Sequence, residues 1–288
     1  MAYHVGLILQ QEFGYEMVDV QVHGQALRQF EYEWLPPSVS VAEMEQRITG
    51  DDLLVVNPSF SRFMFGRRLP GRKICYVQDF RTFQALDCHF DLYVSVSTVV
   101  RDFLRTIYVI DTSIIPPFIQ LERLPPVVAW RKRRSGSALM YVKTGDENEI
   151  AAQYLLRSLQ SLPGLTIEMR KDNGIAHGEF LRNIGAVRYL INVSLAEGFG
   201  VIPLEAMALG TCVTGLDGLA GRDYMRLGEN SITYSMKNID RIPEAMETLL
   251  CDDAAAEALA AQGMADAQHY THARFRQSWI DALRNFLG

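Results

Sequence analysis

The 288-residue chain has little that would set it in a membrane, in an oxidising compartment or on nucleic acid by bulk charge. No apolar run approaches the roughly 20 residues that a spanning helix needs. Its four cysteines, Cys75, Cys88, Cys212 and Cys251, are scattered without a C-x-x-C and with no leader-like segment ahead of them. Reduced thiols and a cytoplasmic setting are therefore expected. Lys and Arg number 28 against 34 Asp and Glu, a net charge of -6, so any attraction to phosphate backbones or anionic lipid has to come from a local cluster. The six histidines show no metal-ligand spacing, and no D-x-D is present to hold a metal-bound diphosphate. No metal and no cofactor is expected.

What is present describes a globular chain. A hydrophobic content of 48% with 22% charged residues supplies ample core, and the length suits about two domains of ordinary size. Apolar runs alternate with helical patterns. Strands are predicted at Tyr3 to Leu9, Leu53 to Val56, Lys73 to Gln78, Asp91 to Val96, Ser137 to Val142, Leu165 to Met169, Tyr189 to Ser194 and Cys212 to Gly215. Residues 15–30 fit both periods and stay ambiguous. Ser40 and Glu43 form a capping box for a helix over Val41 to Ile48. Further helices are expected at Thr98 to Ile107, at Asn148 to Leu159 with Ile150, Tyr154, Leu155 and Leu159 on one side, and at Ile242 to His269. Alternating strands and helices give an α/β chain of two doubly wound, Rossmann-like domains. The first spans residues 1–125 and the second 137–270. Residues 126–136 read as a linker whose basic run, Arg131 to Arg134, is a solvated hinge. Residues 271–288 form a last helix with Phe275, Trp279, Leu283 and Phe286 at helical spacing.

One stretch carries chemistry. Glu197 to Gly210 reads E-G-F-G-V-I-P-L-E-A-M-A-L-G between two strands. Gly198 and Gly200 permit a tight turn and close backbone approach, Pro203 suits a first helical turn, and Gly210 suits the position after a helix end. Amides of that first turn, around Phe199 to Val201, can receive an anion. Glu197 in the loop and Glu205 in the helix would repel a phosphate, so they must face another part of any ligand. A sugar nucleotide satisfies both demands, because its hydroxyls want acceptors while its diphosphate wants amides and cations.

The E-G-F-G-x-x-x-x-E-A-M-A-x-G pattern resembles the E-x7-E signature of retaining nucleotide-sugar glycosyltransferases with the GT-B fold. Tyr76-Val-Gln-Asp79, Val94-Ser-Val-Ser97 and Ile114-Ile-Pro-Pro-Phe-Ile119 resemble pieces of the same family's first domain. The resemblance implies two Rossmann-like domains with a crevice between them, and a final helix that crosses back to the first domain. It implies retaining, metal-independent transfer from a nucleotide sugar, with Glu205 on the ribose and Glu197 on the sugar near the reacting carbon. Under that assignment Glu197→Gln leaves the affinity for free nucleotide nearly unchanged. The departing diphosphate would meet Gly198, Phe199, Gly200, Val201 and Lys143. The family's second cation has no counterpart, since Asp146 to Glu149 occupies its place, and Arg170 or Lys171 would have to supply it. Asp79 is a candidate for positioning the acceptor, or a loop cap.

The acceptor implied is a glycan or lipid-linked glycan, and a modified DNA base is the alternative. A non-catalytic module of the same fold and a sugar-nucleotide epimerase are the other readings. Phe60 to Lys73 bears on the choice, because Arg62, Arg67, Arg68, Arg72 and Lys73 occur there with no acidic residue. That segment is either a helix with a solvated basic edge or a surface for an anionic acceptor, a peripheral contact at the inner membrane face or on nucleic acid.

Overall fold

In a computed structural model, which describes residues 1–21, 34–171 and 176–288, the chain packs as two units. One comprises Met1–Val96, Val100–Ile115 and Phe275–Gly288; the other comprises Ser97–Val99 and Pro116–Arg274.

The first unit opens with a helix where the sequence reading expects a strand. α1 (Ala2–Phe13) buries Tyr3, Val5, Ile8 and Leu9 and ends at Gly14, whose left-handed φ of 75° turns its N–H back to the Leu9 carbonyl. Val5, Ile8 and Leu9 lie at i, i+3 and i+4, a helical spacing that a short apolar run cannot be told from a buried strand by. The ambiguous segment 15–30 lies partly outside the described residues. Its described part contains β1 (Asp19–Gln21), which pairs in parallel with β2 (Ser38–Ser40). The Ser40–Glu43 capping box forms as expected and starts α2 (Val41–Arg47). β3 (Leu53–Val56), β4 (Arg72–Val77), β5 (Leu92–Ser95) and β6 (Ser113–Ile114) then make a parallel sheet in that order. Residues 58–63 form a short 3-10 turn and Phe65–Arg68 one helical turn, α3; α4 (Thr98–Tyr108) follows β5.

The second unit is a five-stranded parallel sheet with strand order β11-β10-β9-β7-β8. Its strands are β7 (Ser137–Val142), β8 (Thr166–Lys171), β9 (Tyr189–Asn192), β10 (Cys212–Leu216) and β11 (Ile232–Tyr234), and its helices are α5 (Asp146–Leu159), α6 (His177–Ala186), α7 (Val201–Ala208), α8 (Ile242–Cys251) and α9 (Asp253–Ala267). β7, β9 and β10 are buried along their whole length, as strands covered on both faces must be. Gly215 is required in β10, since its φ is 104° and a Cβ there would lie 2.3 Å from the Asn192 carbonyl oxygen.

α5 turns a different face inward from the one expected. Ala151, Ala152, Leu155 and Leu159 are buried while Ile150 and Tyr154 are exposed. Small side chains let the helix lie close to the sheet. Asn148 is buried with them because its Oδ1 accepts the Leu195 amide at 2.9 Å. The basic run also departs from expectation at Arg133, only 4% exposed, which donates to the carbonyls of Val128, Val187 and Leu209 and to the Thr211 hydroxyl. Burial, and Arg188 nearby, lower its pKa to about 10. The guanidinium thus closes the C-terminal end of α7, where unpaired carbonyls collect negative potential.

α10 (His272–Leu287) ends the chain, and from Phe275 onward it belongs to the first unit. Trp279, 0% exposed, stands edge-on to Tyr76 of β4 with ring centroids 5.0 Å apart, and the Tyr76 hydroxyl donates to the Ile115 carbonyl at 2.9 Å. The described cysteines divide evenly: Cys75 and Cys212 are buried, Cys88 and Cys251 exposed. Truncating Trp279 to Ala should lower stability by about 3 to 5 kcal/mol, the cost of emptying a fully packed aromatic site. Chemical denaturation reads it, and a loss under about 1 kcal/mol would mean that α10 is not part of the first unit's core.

Candidate functional site

The order of the second sheet dictates where a ligand can enter. From β7 the chain crosses to β8 on one side and then to β9 on the other, so β7 and β9 are neighbours whose following loops diverge. In open parallel sheets the crevice at such a switch is the binding place. Lys143 stands immediately after β7, and the Glu197 loop follows β9.

The loop is held from several sides. The Glu197 amide donates to the Gly218 carbonyl at 2.9 Å, and Asn148 fixes Leu195 just before it. Gly200, with φ 84°, is the N-cap of α7, a left-handed conformation that a residue with a Cβ adopts only under strain. Phe199 packs on Tyr224 and Tyr270 with centroids 5.2 and 5.6 Å away, and the Tyr224 hydroxyl donates to the Gly200 carbonyl. α7 itself starts without a side-chain cap and without an acidic residue in its first turn. The helix's own first turn therefore adds no negative charge, and the nearest carboxylate at its leading end is that of Glu197, whose stem packs against Gly200.

Two of the site residues meet directly. The Lys143 ammonium donates to Glu197 Oε2 at 2.5 Å, with the lysine side chain 36% exposed and the glutamate 14%. Glu205, 6% exposed, faces a residue that the sequence reading missed: His177 at the start of α6, whose Nε2 lies 3.0 Å from Glu205 Oε1. Glu205 Oε2 is buried and has no hydrogen-bond partner among the described residues. A buried carboxylate oxygen left unpaired is costly, and native structures normally supply it with a donor. Nothing at position 177 announces the contact, since a lone histidine 28 residues from Glu205 belongs to no motif.

The remaining candidates do not join this group. Arg170 lies in β8 opposite Tyr141 and is paired with Glu168 on its own strand; the neighbouring Lys171 is paired with Glu149 at 2.8 Å. Asp79, in the first unit, accepts the Arg81 amide at 2.8 Å and so caps its turn. The basic segment is not one solvated edge. Lys73 is buried, its ammonium donating to the Leu69 and Gly71 carbonyls at 3.1 and 2.7 Å, Arg68 pairs with Glu45 at 3.0 Å, and Arg72 donates to the Phe286 carbonyl at 2.9 Å. Arg62 lies over the Phe63 ring at 4.9 Å, and Arg67 is exposed. Among the described residues, no group of three or more His, Cys, Asp or Glu side chains converges as for a metal ion, and no helix is long and apolar enough to cross a membrane.

No protein-family model matches the sequence, and no curated protein does. Solved structures do match in shape. HepE from Anabaena in complex with UDP and glucose superposes with a TM-score of 0.79 at 12% identity, over 99% of this chain and 96% of HepE. Sucrose-phosphate synthase from Thermosynechococcus elongatus gives 0.76 at 13% identity, over 99% of this chain and 92% of the synthase. TarM gives 0.66 at 12% identity over 85% of this chain, which spans 57% of TarM. The fold is GT-B, with two Rossmann-like units.

The phenol beneath the loop yields a pH prediction. Burial foremost, with Glu197 adding negative potential, holds the Tyr224 pKa well above the ordinary range; burial does the same for Tyr76, Tyr93 and Tyr189. In the unfolded chain these phenols ionise near about pH 10. Their contribution to stability is therefore complete below that pH and falls as the pH rises above it, because unfolding then releases protons. Tyr224→Phe should cost about 1 kcal/mol at about pH 8, the worth of its hydrogen bond, and should flatten the alkaline fall. Urea midpoints on both proteins across the alkaline range check this, and an unchanged slope would place Tyr224 in water.

Proposed function

We propose that this GT-B chain transfers a sugar from a nucleoside-diphosphate sugar to a glycan or lipid-linked glycan, with retention of anomeric configuration and without a metal ion. The observation that carries the reading is the buried Glu205 carboxylate with its unpartnered Oε2, eight positions beyond Glu197 on the helix whose uncapped start faces the crevice. A ribose hydroxyl supplies the missing donor. The E-x7-E resemblance and the GT-B fold support it, and the UDP seen with HepE makes a uridine nucleotide the first to try.

In this reading the α7 amides and Lys143 take the diphosphate, whose charge grows as the glycosidic bond breaks, so that their hold strengthens toward the transition state. Glu197 accepts from the sugar hydroxyls near the reacting carbon. An oxygen of the leaving phosphate takes the acceptor's proton, which removes the need for a separate base, and Asp79 orients the acceptor. One set of contacts favours a second reading, a module that binds nucleotide without turning it over: Lys143 is engaged by Glu197 and Arg170 by Glu168. Two cations already occupied leave a diphosphate weakly compensated.

Calorimetry and turnover assays separate the two readings. UDP, GDP, ADP and dTDP are titrated first, and the sugar nucleotide of whichever binds is then tested with glycan acceptors. Glu205→Ala should weaken nucleoside and nucleoside diphosphate alike by about 1 to 3 kcal/mol, the scale of a hydrogen bond to a charged group. Unchanged affinity in that variant would remove the ribose role. Binding without transfer supports the module, and turnover of the donor without an acceptor supports an epimerase.

A further inference from the structure

Lys143 and Glu197 hold each other, and the way each is anchored differs. The Glu197 backbone is tied to Gly218, and its side-chain stem lies between two glycines, where a Cβ at Gly218 or Gly200 would stand 3.4 or 3.8 Å from its Cγ. Its carboxylate is 14% exposed. Lys143 instead reaches in from the end of β7 on a flexible four-carbon stem, and is 36% exposed. Of the two, the ammonium is the one free to leave.

Resting on the function proposed above, we infer that Glu197 sets the discrimination between the intact sugar donor and the spent nucleoside diphosphate by competing with phosphate for Lys143. When the donor arrives, its sugar hydroxyls donate to Glu197, so the carboxylate keeps its hydrogen bonds while the ammonium moves to the diphosphate. When only nucleoside diphosphate remains, no hydroxyl faces Glu197. Surrendering the lysine would then leave a largely buried carboxylate uncompensated, which is unfavourable, so Glu197 draws the ammonium back and the product loses its cation. Lys143 is thus shared, and the presence of a sugar decides its owner. This reverses the expectation that Glu197→Gln leaves free nucleotide affinity unchanged.

The test is a double-mutant cycle read by calorimetry, using the diphosphate that binds the wild type, its nucleoside and its sugar nucleotide. Glu197→Gln should bind the diphosphate about 1.5- to fivefold more tightly than wild type, the range set by a partly exposed ion pair, and the nucleoside equally well. The intact donor should not share the gain. Glu197→Ala is the second variant, because a glutamine amide oxygen can still accept from the lysine. Placed on Lys143→Ala, either change should no longer tighten diphosphate binding, which distinguishes competition for the ammonium from simple repulsion between carboxylate and phosphate. Diphosphate affinity no higher in both glutamate variants than in wild type overturns the inference, as does a gain that persists without Lys143. A wild type that binds none of the four diphosphates overturns the nucleotide-sugar reading itself, and this inference with it.

Discussion

Parallel strands cannot be joined by a turn, and that constraint orders the second unit. Each connection must cross a face of the sheet, and the chain reverses its direction of growth once, between β7 and β9. The reversal leaves a gap at the C-terminal ends of those strands that no crossover fills. Lys143 leaves one strand beside it, the glycine loop leaves the other, and α7 begins there without a side-chain cap.

Holding that loop open has required polar groups to be buried and matched elsewhere. Arg133 donates to the Leu209 carbonyl at the far end of α7 and ties it to Val128, Val187 and Thr211, so the helix is fixed at its tail. Below the loop, Phe199, Tyr224 and Tyr270 form an aromatic seat, and the Tyr224 hydroxyl takes the Gly200 carbonyl that the left-handed turn exposes. These contacts fix the loop through its carbonyl and its aromatic ring, and α7 still begins without a side-chain cap.

Much of the architecture could be read from local pattern. Buried strands such as Ser137–Val142, the Ser40 cap and the turn at Gly210 depend on neighbours within a few residues, and the structure has them where the pattern put them. Misreadings arose where two local patterns coincide or where a distant partner decides. Val5 to Leu9 fits either period, and only tertiary packing chose the helix. Arg133 sits in a basic run that looks solvated until Leu209 and Thr211, more than 70 positions away, supply its acceptors. The site shows the same split: the spacing of Glu197 and Glu205 is visible in the sequence, but the Lys143 and His177 contacts join residues 54 and 28 positions apart.

The placement of the thiols makes the native chain its own ruler. Cys75 and Cys212 lie inside, the latter's pKa pushed up to about 12 by burial, so neither offers a thiolate to a labelling reagent. Cys88 and Cys251 are exposed and fall one in each unit. Partial burial and the neighbouring Asp87 keep the Cys88 thiol protonated to higher pH, which slows its alkylation. Two dyes can therefore be attached in sequence without any substitution, one reporting on each unit separately.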